Sequence, residues 1–115
     1  MESANYAVRT RQNVKDSDGT LILFEDTMSR GTELTAKCAS QLKRPLISID
    51  VIDLLDWDDD HFAAEIKKVI SWLEIENVNV LNVAGPRESS SPGIGGIARM
   101  FLVKLFESQV PAQRT

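Results

Sequence analysis

Two stretches of this chain bring together side chains that can hold an anion. The first is Thr27-Met28-Ser29-Arg30-Gly31-Thr32-Glu33-Leu34-Thr35, which joins an apolar run to an amphipathic segment. Arg30 offers a planar guanidinium fork that matches a phosphate or carboxylate. Gly31 lets the backbone come close to a ligand, Thr32 is a residue type that caps helix starts, and the amides of a first helical turn attract anions. Gly-Thr ahead of a helix is also an ordinary N-terminal signal, so this stretch alone establishes only a helix start.

The second stretch is Asn82-Val83-Ala84-Gly85-Pro86-Arg87-Glu88-Ser89-Ser90-Ser91-Pro92-Gly93. Its loop, Gly85 to Gly93, exceeds the roughly two to six residues that usually link a strand to a helix, and length beyond geometric need points to binding. Arg87 and the three serine hydroxyls suit phosphate oxygens. Glu88 can accept from a ribose hydroxyl or serve as a base. The competing reading is a polar surface loop.

Other chemistry-bearing residues have plainer readings. Asp56, Asp58, Asp59 and Asp60 lack the central glycine and distal glutamate of a calcium loop; at a helix start they serve the macrodipole and a cap. His61 has no cysteine or second histidine at ligand spacing and reads as a surface residue. One histidine in the chain also removes any Ser-His-Asp or Cys-His arrangement. Cys38 sits on an apolar helical stripe and reads as inert core. Trp57 and Trp72 read as covers for helix faces. No metal site is assigned.

These residues need elements to position them. Residues 3–16 have helical spacing, with Tyr6, Thr10 and Val14 on one stripe, Ser3 or Asn5 available as caps, and Asp16-Ser17-Asp18-Gly19 as a stop. Thr20 to Phe24 is a continuous apolar run, the mark of a parallel strand covered on both faces. Residues 31–43 read as a helix through Leu34, Cys38 and Leu42, ended by Pro45. Leu46 to Ile49 is a second strand. An acidic linker, Asp50 to Asp60, leads to a helix presenting Phe62, Ile66, Val69, Ile70 and Leu73 on one face. Val78 to Ala84 is a third strand. A helix over 93–108 carries Ile94, Ile97, Ala98, Phe101, Leu102 and Leu105, and residues 109–115 read as a frayed tail. The alternation predicts one α/β domain over 1–115: a short parallel sheet of about three strands between two helical layers, a three-layer α/β/α, Rossmann-like arrangement. In such sheets ligands bind beyond the carboxyl ends of the strands, where strand order reverses.

Composition narrows the partners. A chain of 115 residues with 43% hydrophobic and 26% charged residues is ordinary for a globular domain. A formal charge of −4 without a concentrated basic face argues against nucleic acid. No stretch approaches the ~20 apolar residues of a membrane span. The single cysteine rules out an internal disulfide and fits a reducing cytoplasm.

Three motifs in matching order carry a resemblance. They are Tyr6-x-x-Arg9-Thr10-x-x-Asn13-Val14-x-Asp16-Ser17-Asp18-Gly19-Thr20-Leu21-Ile22-Leu23, the Gly31-Thr32-x-Leu34-Thr35 turn, and Leu81-Asn82-Val83-Ala84-Gly85-Pro86-Arg87-Glu88-Ser89. From about residue 3 to 106 the chain resembles the circularly permuted YpsA branch of the SLOG superfamily, whose members are often labelled molybdenum carriers. The resemblance implies a Rossmann-like nucleotide-binding domain whose ligand is a nucleotide derivative or molybdenum cofactor. In the leading reading, a non-catalytic carrier or sensor, the ligand contacts are Arg30, Gly31, Thr32, Thr35, Gly85, Arg87, Glu88 and Ser89, with backbone amides cradling phosphate and Arg87 pairing with it. Asn13 and Asp18, near the entry of the first strand, fix the fold.

Two departures matter. Family members usually begin with a strand and a Ser-Gly-Gly-Gln-Thr-Gly loop ahead of the region matching Met1. Without that strand, Val78 to Ala84 becomes an open sheet edge, and a homodimer or larger oligomer is expected there. Related Lonely Guy-type phosphoribohydrolases carry Pro-Gly-Gly-x-Gly-Thr-x-x-Glu. Aligned on Gly31-Thr32, Thr35 replaces that glutamate and Met28-Ser29 the glycine pair. A hydroxyl has no useful basicity near neutrality, which favours binding over turnover. The alternatives are a nucleotide hydrolase with Glu88 as its only base, and an oligomeric interaction module with a degenerate pocket.

Overall fold

Gly19–Phe24 forms β1, buried along nearly its whole length, as a run of apolar residues without polar alternation requires. A computed structural model describes residues 2–25, 30–85 and 92–109. Around β1 it arranges α1 (Glu2–Lys15), α2 (Arg30–Gln41), β2 (Leu46–Asp50), a 3-10 turn at Leu54–Asp56, α3 (Asp59–Ile75), β3 (Leu81–Ala84) and α4 (Ile94–Gln109). Among the described residues the sheet has three strands in the order β2-β1-β3. Both pairings are parallel, with Leu21 opposite Ile47 and Val83 and Phe24 opposite Asp50.

Alternation along β1 divides the core into two layers. Leu21 and Leu23 join Ile49, Val51, Ile66, Val69, Leu73, Ile94, Phe101 and Leu105 on the face covered by α3 and α4. Ile22 and Thr20, both fully buried, project from the opposite side. There Val14 of α1 packs with Cys38 and Ala39 of α2, flanked by Leu34 and Leu42. The result is the expected three-layer α/β/α, Rossmann-like arrangement.

Several boundaries differ from the sequence reading, each for a local reason. Ser3 and Asn5 do not cap α1, because the helix already begins at Glu2. The second helix ends at Gln41 rather than 43. Lys43 adopts φ 56°, its amide reaches the Ser40 carbonyl, and the Arg44 amide reaches that of Ala39. This paired closure is a Schellman cap, so the helix stops before Pro45 can act. The same device closes α3. Asn77 has φ 55°, its amide bonds to Glu74 and that of Val78 to Leu73. Val78 therefore belongs to the helix cap, and β3 begins only at Leu81. At the start of α3, Asp58 is the N-cap, its carboxylate accepting from the His61 amide at 2.7 Å. The last helix reaches Gln109, into the segment read as a frayed tail.

The bend between α3 and β3 is held by Asp18. Its Oδ2 accepts from the amides of Asn79 at 3.0 Å and Val80 at 2.8 Å. These donated bonds, Val80 first, hold the Asp18 carboxyl below its ordinary pKa. Asn13 lies exposed on α1.

Candidate functional site

The helices that follow the neighbouring strands β1 and β3 lie on opposite faces of the sheet. α2 packs beside α1 in one layer and α4 beside α3 in the other. Between two such departures an α/β sheet opens a crevice at its carboxyl edge. The strand ends are in register there, with Ile22 opposite Ala84. Gly85, the residue after β3, passes so close to β1 that a Cβ on it would lie 2.8 Å from the Leu23 carbonyl oxygen.

The first stretch singled out in the sequence opens α2. Arg30 is the first helical residue, and its side chain lies outside what the structure describes. Gly31 follows in the first turn. The sequence suggests a capping role for Thr32, but the helix starts at Arg30, so Thr32 sits inside the first turn and is 1% exposed. Thr35 is 4% exposed. Its Oγ1 donates to the Gly31 carbonyl at 3.0 Å, a back-bond within the helix. Both threonines are thus buried in the first turns of α2, and a helix start carries unpaired amides that attract anions.

The second stretch is only partly in view. Gly85 is exposed at the end of β3. Arg87, Glu88 and Ser89 lie outside the described residues. The chain is described again from Pro92, where Gly93 takes φ 88° and its carbonyl accepts the Ile97 amide in the first turn of α4.

A feature that the sequence reading missed lies at the carboxyl end of β2. Ser48, Asp50, Ile52, Asp53, Trp57 and His61 contribute to a cavity of about 310 Å³. Trp57 and His61 stack at 4.4 Å with their planes 18° apart. The other face of this wall is anchored in the core, where Trp57 meets Phe62 and Phe101 edge-on. Lys68 pairs with Glu65 at 3.0 Å beside it. The one available signal was Asp50 itself, an acid ending a strand about twenty residues after Gly31. A second cavity, about 460 Å³, lies between α3 and α4, lined by Phe62, Ala63, Ile66, Ile70 and Lys104 among others. Among the described residues no group of histidine, cysteine and carboxylate side chains is gathered to hold a metal ion, and no helix is long and apolar enough to cross a membrane.

Comparison with known proteins agrees with this architecture. The chain is similar to the crystal structure of a protein titled "Putative molybdenum carrier protein" from Syntrophus aciditrophicus SB. The two are 36% identical and superpose with a TM-score of 0.74 over 88% of this chain. The match covers 60% of that protein, so the chain spans less than two thirds of its length. No curated protein matches. The model of the circularly permutated YpsA SLOG family matches residues 1–106, which takes in every element from α1 through most of α4, and the chain belongs to that family.

Proposed function

We propose that this protein binds or carries a small phosphate-bearing ligand, a nucleotide derivative or molybdenum cofactor, in the crevice between the β1–α2 and β3–α4 turns. The observation that carries the reading is the adjacency of β1 and β3, parallel and in register, with their helices leaving to opposite faces. In this reading the amides of the first turn of α2, at Arg30 and Gly31, cradle the phosphate. The guanidinium groups of Arg30 and Arg87 pair with it, and Glu88 and Ser89 complete the polar lining. Thr32 and Thr35 hold the turn, and Gly85 lets the second loop approach. Molybdenum cofactor, as cargo, would be held through its phosphate.

Binding rather than turnover is favoured by Thr35. At the position of the hydrolase glutamate its hydroxyl is buried and committed to the Gly31 carbonyl. The neighbour's printed name supports a carrier role in the same sense. We place the protein in the cytoplasm, where its buried Cys38 thiol stays reduced. A second copy of the chain pairs along β3, which is an edge strand among the described residues.

The test is a thermal-shift screen with nucleoside monophosphates, pterin phosphates and inorganic phosphate. Ligand at a hundred times its dissociation constant adds about 2.7 kcal/mol of stability, and Arg87→Ala should remove the shift. A screen in which no phosphate compound moves the melting temperature overturns the proposal.

A further inference from the structure

We infer that the outer groove between α3 and α4 is a docking surface for an acidic amphipathic helix of a partner protein. It uses no residue of the proposed phosphate site and stands independently of it.

The sequence of α4 gives the first reason. From Met100 to Phe106 it reads Met-Phe-Leu-Val-Lys-Leu-Phe, apolar around the whole helix except at Lys104. A helix that is apolar on every side is one covered on every side. Here the fold covers a single face: Phe101 and Leu105 are fully buried, whereas Met100 and Val103 are each 45% exposed. In α3, by contrast, the exposed positions opposite the core are small or charged, Ala64 and Lys68.

Shape gives the second. The short side chain of Ala63 leaves a hollow of about 460 Å³ against Phe62, Ile66 and Ile70 of α3. A further hollow of about 280 Å³ shares Phe62 and Lys104 with it and continues over Met100 and Val103. From Asp59 to Ile70 the groove follows α3 for roughly 16 Å, about three helical turns. Over that span a docked helix sets apolar anchors at i, i+3 or i+4, and i+7, and a groove between two packed helices receives the ridge of a third.

Charge selects the occupant. Lys67, Arg99 and Lys104 line the two hollows against one carboxylate, Asp59, in a chain whose formal charge is −4. Asp59 stands at the first residue of α3, about two turns before Lys67. The ion pair present among the described residues, Lys68 with Glu65, leaves these three cations without a carboxylate partner there. A second copy fits poorly, because in a two-fold pairing the same patch meets itself and each cation would face cations. An anionic membrane fits poorly too, since Asp56, Asp58, Asp59 and Asp60 crowd the start of α3 and would meet the lipid head groups. Glutamates flanking an apolar stripe match both the cationic rim and the apolar floor.

The experiment selects a displayed library of helical peptides, about five turns long, on the full chain. Leucine or phenylalanine is fixed at i, i+3, i+4 and i+7, and the flanking positions are randomised among Glu, Gln and Lys. Enriched peptides are then measured by fluorescence anisotropy against the native chain, Lys67→Glu/Lys104→Glu and Ala63→Trp. Circular dichroism confirms that each variant is folded; Lys67→Gln/Lys104→Gln replaces the charge reversal if it is not. Expected are flanks enriched in Glu, affinity lower by about tenfold or more in both variants, and Lys-rich flanks when the selection is repeated on the charge-reversed chain. No enrichment, equal use of Glu and Lys, a Glu preference that survives charge reversal, or affinity untouched by Ala63→Trp each overturns the inference. Binding to phosphatidylglycerol–phosphatidylcholine vesicles without peptide enrichment assigns the face to a membrane instead. A dimer mass that Val103→Lys reduces to a monomer mass assigns it to a second copy, and either result also overturns the inference.

Discussion

Asp18 and Val80 are bonded to each other twice: the Asp18 amide donates to the Val80 carbonyl at 2.7 Å, and the Val80 amide donates to Asp18 Oδ2 at 2.8 Å. The pair ties the start of β1 to the approach of β3, and so sets the register that brings the two carboxyl ends together.

The clasp makes stability acid-sensitive. The Asp18 pKa is lowered in the folded state by the amides of Val80 and Asn79, so its contribution is complete above the unfolded carboxyl value of about 3.9. It fades as pH falls through the lower folded value. Melting temperatures recorded from neutral pH downward should drop below about pH 4. Asp18→Asn should melt lower at neutral pH and show a flatter acid limb; an unchanged limb contradicts this role.

Gly19→Ala and Gly85→Ala should both destabilise, unequally. A Cβ at Gly19 would meet Val78 Cγ2 at 2.8 Å and the Trp72 ring at 2.9 Å, side chains that can shift a little. At Gly85 it would meet the Leu23 carbonyl oxygen at 2.8 Å, which is backbone and cannot. Overpacking of this kind costs about 1–3 kcal/mol. Urea titration should place Gly85→Ala at the upper end, and tryptophan emission should change in Gly19→Ala.

Removing the cap of α3 by Asp58→Ala should cost about 0.5–2 kcal/mol. The carboxylate accepts from the His61 amide, and the residue touches neither the crevice nor the core. Denaturant midpoints should fall while ligand binding, measured by calorimetry, holds.

Thr35→Val removes the hydroxyl that donates to the Gly31 carbonyl. A net loss of about 0.5–1.5 kcal/mol is expected, visible as a lower melting temperature. Ligand affinity should stay within a small factor, because the hydroxyl is committed to the Gly31 carbonyl. A complete loss of binding in a folded variant would assign Thr35 a direct contact.

Pairing along β3 is tested by light scattering. Val83 is 39% exposed on this strand, and Val83→Lys places a charge where an added strand would pack. The native chain should have the mass of a dimer or larger at micromolar concentration, and the variant that of a monomer. A monomeric native chain refutes the pairing.

The elements that sequence made plain are those where one physical signal dominates. Thr20 to Phe24 could only be a doubly covered strand, and the Leu34-Cys38-Leu42 stripe found its place against Val14. Helix ends were less legible. Lys43 and Asn77 stop their helices in left-handed conformations, and a lysine gives no warning of this. β3 was overestimated because Val78 and Val80 look like strand residues. One is the hydrophobic member of a helix cap, and the other is bonded to Asp18 across a long stretch of sequence. The cavity beside Asp50 left only that terminal acid as a signal, because its wall comes from a strand, a loop and a helix whose residues share no spacing.

The place of β1 has a consequence for biosynthesis. It lies between β2 and β3, yet both are encoded after it, so a growing chain displays Leu21-Ile22-Leu23 well before either neighbour exists. The most apolar segment of the protein must wait through some sixty residues of translation, at about 5–20 residues per second, for its second flank. During those seconds it is a natural client for a ribosome-associated chaperone.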